Sequence, residues 1–510
     1  MCEPPGSDSI SRMATNISRR SALVAGAAAG IASTTTWPAV AVAERPGRGT
    51  AFTHATVLDP ASGRVLPDTT VLVRGDTIAE VGGQVRLDGA TEVDLRGKYV
   101  IPGLADMHAH AVADGIDTGL YVANGVTTVR EMAGSPKARE WRDRIEAGKL
   151  LGPRYAVGSR MIDGLPTIWD PKWIDIVQVG DPAAARAAVR EEVARGADFI
   201  KVYSRVPRDA YRALADEAHR HDVPFVGHCP DAVPLHEAAD LGQASVEHLF
   251  WTPFETSTRE AWIRAEIQRI RLGLGDYAGW FAVLHPLEWT AAHTYSPVKA
   301  RRLHEKLARH AVRQVPTLAM HRGLDFARTV DMNDPRNKYL PASTLATQEM
   351  ARQEFYLKDR APAQDAEWAA MFDHRLRTVR RLHEAGVPLM TGTDTGTVAV
   401  WPGFSVHDEL QLFVAAGIPP MAALHASTAE PAAFLGTRTG RIAPGHAADL
   451  AVLDADPLHD IRNTRKLSGV VVRGRYVDAA ERLRILAEVE RTAATTPPEA
   501  AAAGCPCHAH

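Results

Sequence analysis

The chain has 510 residues, a formal net charge of −3, 45% hydrophobic residues and 23% charged ones. That is globular composition with ample apolar material for a large core, and the near-neutral balance argues against nucleic acid as a partner, because phosphate binding needs a basic surface. Four cysteines, Cys2, Cys229, Cys505 and Cys507, are too few for a disulfide framework in a chain of this length, so stability is expected from packing.

From the N-terminus, Ser18-Arg19-Arg20 precedes a short apolar stretch from Ala22 to Ile31, then Trp37-Pro38 and the small residues Ala39 to Ala43. This order predicts a twin-arginine export signal over residues 1–43, with cleavage after Ala43, Met13 as an alternative start, and a periplasmic or extracellular protein. The stretch is too short to span a bilayer, and no other run of about 18 apolar residues follows, so no membrane anchor is expected. Residues 49–100 alternate apolar and polar positions; Val71-Leu72-Val73 and Thr77-Ile78-Ala79 flank Arg74-Gly75-Asp76 in a hairpin pattern. Residues 436–480 repeat it in Leu450 to Leu453 and Val470 to Val477. Since chain ends often lie close together, the two pieces are expected to form one small β-sandwich domain.

Residues 101–435 alternate short apolar runs with helical segments, which signals parallel β/α units. Asp181 as a cap, Pro182 in the first turn and Gly196 at the end mark one helix, with Ala185, Val189 and Val193 on one face. Strands are expected near 100–107, 126–131, 154–159, 198–203, 224–229, 244–248, 312–318 and 387–394. Eight such units make a closed α/β (β/α)8 TIM-like barrel the economical reading. Residues 250–310 and 321–378 exceed usual connection lengths and read as helical insertions placed to form a lid. Residues 485–510, rich in Ala, Thr, Pro and Glu, are expected to be a disordered tail; its Cys505, Cys507, His508 and His510 stay unassigned.

In such a barrel a metal site draws ligands from the C-terminal ends of several strands. His108 and His110, two apart on a strand, point to one side. Lys201, His228, His248 and Asp394 follow near the ends of later runs. Each alone has an ordinary reading, as a hydrogen-bonded histidine, a snorkelling lysine or a turn aspartate; together they fit one rim. Tyr203, two beyond Lys201, is a candidate donor to a substrate carbonyl, with barrel packing as the alternative. Arg130 could bind a substrate carboxylate or pair with a neighbouring acid. His321 is a candidate substrate contact, and alternation turns Cys229 away into packing.

Ile101 to His110, Gly125 to Arg130, Gly392-Thr393-Asp394 and Gly440 to Leu450 resemble the strand motifs of the amidohydrolase superfamily, over about residues 50–477. The pattern looks closest to secreted members related to imidazolonepropionase, some of which are Xaa-Pro dipeptidases. The resemblance implies two divalent metal ions. His108, His110 and Asp394 would hold one, His228 and His248 the other, and Lys201 would bridge them as a carbamate. A free ammonium has no lone pair to donate, whereas a carbamate offers two anionic oxygens. The donor set suits Zn, with Mn, Co or Fe as alternatives. Asp394 would act as base and then acid in hydrolysis of an amide bond of a small-molecule or dipeptide substrate. A mononuclear deaminase or cyclic-amide hydrolase, a lactonase and a non-enzymatic barrel are the alternatives. A homo-oligomer is compatible with the sequence.

Overall fold

The computed structural model describes residues 49–172 and 174–497. The expected export signal and the Cys/His tail fall outside the described residues. Strand Thr50–Asp59 pairs antiparallel with Arg64–Arg74, which pairs with Thr77–Gly82. Gly75 opens the loop between the last two with φ +59°, a conformation that a side chain resists. Tyr99–Pro102 pairs with the first strand and, on its other edge, with Leu450–Leu453. From there the sheet continues through Leu467–Val472 to Arg475–Asp478. The two ends of the chain therefore share one eight-stranded sheet, with Thr91–Asp94 paired beside its path. The pairing records a single sheet where two facing layers are expected from the sequence. Phe52, Val57, Val71, Ile78, Val100, Leu450, Val452 and Val471 form its buried core.

Between these ends the chain is mixed α/β with parallel sheets. Leu104–Ala109, Val126–Glu131 and Arg154–Val157 make one three-stranded parallel sheet. A six-stranded parallel sheet runs in the order Ile176–Gln178, Met161–Asp163, Ile200–Val202, Phe225–Gly227, Ser245–Glu247, Arg313–Val315. Among the described residues no ladder joins the two sheets into a ring. Single backbone hydrogen bonds cross both gaps: Asp198 N to Val157 O at 3.0 Å and Ser159 N to Phe199 O at 2.9 Å on one side, Met390 N to Gln314 O at 3.0 Å and Met107 N to Thr391 O at 2.9 Å on the other. The expected strand at 387–394 is corrected: that segment makes only an isolated parallel bridge from Leu389 to Gln314 before turning at Asp394, where φ is +61°. Strands Met161–Asp163 and Ile176–Gln178 lack an apolar run long enough to announce them.

The helix starting at Pro182 ends at Ala194, and Asp181 accepts from the amides of Ala183 and Ala184. Both insertions are helical, with Glu260–Arg269, Tyr277–His293 and Pro297–Arg309 in the first and Ala342–Ala351 and Asp365–Glu384 in the second. The disordered reading of 485–510 is corrected over its first part. Helix Ala479–Thr495 buries Ile485, Val489 and Ala493. Their spacing makes an apolar stripe, and the stripe lies so close to Gly119 that a Cβ there would meet Val489 at 3.0 Å. Alanine-rich sequence favours a helix once such a stripe finds a face to cover. Among the described residues no helix is long and apolar enough to cross a membrane.

Candidate metal centre

The parallel strands deliver their ends to one cavity. His108 and His110 come from the end of Leu104–Ala109 and the residue after it, and Lys201 from Ile200–Val202. His228 and His248 each stand one residue past a strand, after Phe225–Gly227 and Ser245–Glu247. Asp394 arrives from the turn after Met390. All six line the same cavity. Asp394 Oδ1 is 3.1 Å from His110 Nε2 and 3.4 Å from His108 Nε2. The His108 and His248 rings lie 4.5 Å apart between centroids, those of His228 and His248 5.0 Å apart. One donor atom from each of His108, His248 and Asp394 falls within 4.8 Å of the others.

Buried partners aim these rings. His108 Nδ1 lies 2.8 Å from Glu247 Oε2, and a carboxylate there requires the proton on Nδ1, which leaves the Nε2 lone pair for the cavity. Ser204 Oγ holds His228 Nδ1 at 2.7 Å, and Thr317 Oγ1 holds His248 Nδ1 at 2.8 Å. Glu247 is in turn fixed by Arg130 Nη2 at 2.9 Å and by Ser245 Oγ at 2.6 Å. Asp106 accepts from Thr393 Oγ1 at 2.6 Å and from the Thr393 amide at 3.0 Å, which ties the Asp394 turn to the first strand. His248, Thr317 and Asp394 take φ of +67°, +48° and +61°. For residues with side chains this costs about 1–3 kcal/mol each, and it persists where surrounding contacts over-determine the backbone.

Burial, reinforced by neighbouring cations, keeps His108 and His228 neutral; it holds His248 neutral too. Asp394 is also desolvated, yet His110, His248 and Lys201 outweigh that and hold it below the usual carboxylate range. Burial pushes the Lys201 ammonium down to about 8, against the pull of Glu247 and Asp394. Neutral imidazoles, an ionised carboxylate and a lysine eased towards its free amine fit a divalent cation better than an internal salt-bridge network.

The remaining candidates divide. Tyr203 lines the cavity, stacks on His228 at 4.1 Å, and its hydroxyl accepts from Trp169 Nε1 at 2.8 Å. Arg130 does not reach the cavity. It is wholly buried and gives its guanidinium to Glu247, Ser245 and the Met107 carbonyl, so the acid-pairing reading holds and the carboxylate-binding reading is corrected. His321 is likewise buried behind the wall with Nε2 2.6 Å from the His248 carbonyl oxygen, where it steadies that backbone instead of meeting substrate. Cys229 faces away, its thiol 3.3 Å from the Val233 carbonyl. Sequence reasoning missed Glu247, Asp106, Ser204 and Thr317. An acid in the buried run Ser245-Val246-Glu247, next to His248, was the available signal. It also missed the aromatic side of the cavity, where Trp169, Tyr277, Phe355 and Tyr356 face the polar residues.

Parallel sheets delivering histidines, a lysine and an aspartate to one cavity define an α/β protein with a group of residues that could hold a metal ion. The amidohydrolase family profile matches residues 99–477, and the chain belongs to that family of hydrolases. A dihydroorotase from Pelotomaculum thermopropionicum is 25% identical over 448 residues, covering 83% of this chain and 93% of the relative. Among solved structures, a bottromycin amidohydrolase superposes with a TM-score of 0.70 at 24% identity, covering 89% of this chain and 92% of the other. A Xaa-Pro dipeptidase with bound methionine gives 0.60 at 19% identity, covering 84% and 99%. At these identities the structural likeness speaks for the fold.

Proposed function

We propose that the chain hydrolyses the amide bond of a small, peptide-like substrate. The observation that carries the reading is the convergence of six separated residues on one buried cavity, with three of the imidazoles held through Nδ1. His108, His110 and Asp394 would hold one divalent cation and His228 and His248 a second, with Lys201, as its carbamate, between them. When bound, such ions supply activated water and a polarised carbonyl; Zn suits the donors, as do Mn, Co and Fe.

The chain's own residues account for the rest. Asp394 is ionised and reaches the middle of the cluster, so it can take the proton released as water adds to the carbonyl carbon and pass it to the departing amine nitrogen. Because the Tyr203 hydroxyl accepts from Trp169, its own proton is available to the substrate oxygen. Residues from both insertions close over this floor and limit water. We further propose that the enzyme works outside the cytoplasm after removal of residues 1–43. N-terminal sequencing of the exported protein checks the last point.

The deciding experiment is hydrolysis of dipeptides, N-acyl amino acids and lactones by the metal-loaded protein, with the metal counted. Two ions per chain and amide turnover that is lost in Lys201→Ala support the reading. One tightly held ion favours a mononuclear deaminase or cyclic-amide hydrolase, and turnover of lactones alone favours a lactonase. A dipeptidase or prolidase specificity is the narrower form, supported by the likeness to the Xaa-Pro dipeptidase fold.

A further inference from the structure

We infer that the substrate places a neutral aromatic group against the aromatic wall of the cavity, so uncharged aromatic amides are bound in preference to free carboxylic acids. This rests on the hydrolase reading above and narrows it to a substrate class. Trp169 stacks on Tyr277 with centroids 4.4 Å apart and an angle of 20° between planes, and Phe355 meets Tyr277 at 5.3 Å and 60°. Trp280 lies 5.7 Å from Tyr277, and Met320 completes the apolar side. These rings come from three segments: the loop after Met161–Asp163, helix Tyr277–His293 and the wide turn Arg352–Leu357. The rings from these segments pack against the main apolar core and also line the cavity, so they present an aromatic surface to a ligand.

The charge pattern points the same way. Among the described residues lining the cavity there is no arginine, and the one lysine, Lys201, sits with the histidines. The guanidiniums behind the walls are already spent. Arg130 is paired with Glu247, and Arg375, over the Phe250 ring at 6.0 Å, is held by Glu288 and Asp325. A substrate carboxylate lying against the wall would therefore be desolvated without a partner, which is strongly unfavourable.

Calorimetric titration of the metal-loaded full chain with N-acetyl-L-phenylalaninamide, N-acetyl-L-leucinamide and N-acetyl-L-phenylalanine tests this without needing turnover. The aromatic amide should bind at least about ten-fold more tightly than either comparison ligand. Phe355→Leu should remove the advantage over the leucine ligand at unchanged metal content, and Phe355→Trp should keep it. Equal affinities, or tighter binding of the free acid, overturn the inference. Turnover is read separately: the binding preference without hydrolysis overturns the hydrolase reading alone, and hydrolysis without the preference overturns this inference alone.

Discussion

On the strand side of the cavity directional bonds hold four of the groups: His108 by Glu247, His228 by Ser204, His248 by Thr317 and the Asp394 turn by Asp106. On the aromatic side Trp169, Tyr277 and Phe355 are placed by ring contacts with one another. Hydrogen bonds in a dry interior fail abruptly when one partner is removed, because the other is left desolvated. Ring contacts are non-directional enough to re-pack. The two halves should therefore respond to mutation differently, the floor by large and local losses, the wall by graded changes.

The largest effect is expected at Asp394. Asp394→Asn keeps the shape and removes the base, and should lower kcat by roughly 10²–10⁴-fold in the metal-loaded protein. Activity within a few-fold of the wild type would take Asp394 out of the proton transfer. Next comes Glu247→Ala, which strands the buried Arg130 charge and should cost about 3–5 kcal/mol, read from the shift in denaturation midpoint. A near-neutral result would mean that the buried network does not hold the floor. Thr317→Val leaves the fold standing but frees the His248 ring, and metal affinity measured by equilibrium dialysis should drop roughly 10–100-fold.

The smallest effect at neutral pH belongs to the insertions. His285 lies flat on Trp368, and neither ring nitrogen has a hydrogen-bond partner among the described residues. Burial pushes its pKa down to about 3, with Arg375 and Arg360 adding to the shift; burial does the same for His374. Between pH 6.5 and about 3 the unfolded chain binds these protons and the folded chain does not, so stability falls as the pH is lowered through that window. His285→Phe should change stability by less than about 1.5 kcal/mol at pH 7 and flatten the acid slope, seen in midpoints measured from pH 7 to 4. An unchanged slope would remove His285 as a cause.

Much of the floor was legible. His108 and His110 announced themselves by spacing, and His228 and His248 by standing just past short apolar runs. The groups that aim them were not legible, since Glu247, Ser204 and Thr317 act across strands that only folding brings together. Arg130 shows the limit in a single residue: its place at the end of Val126–Glu131 was predicted, but whether it faced substrate or Glu247 depended on a strand more than a hundred positions later. The tail failed in the opposite way. Composition suggests disorder over 485–510, while Ile485 and Val489 of the buried stripe pack close over Gly119.

The periodicities, the parallel β/α order between two β-rich stretches and the residue types able to bind a cation are readable along the chain, because they depend on local patterns of two, three or four positions. Which nitrogen faces the cavity, which arginine is already neutralised and which rings meet from distant insertions were decided by tertiary structure alone. Those outcomes depend on contacts between residues far apart in the chain and on the loss of water around them, and neither is encoded at any one position.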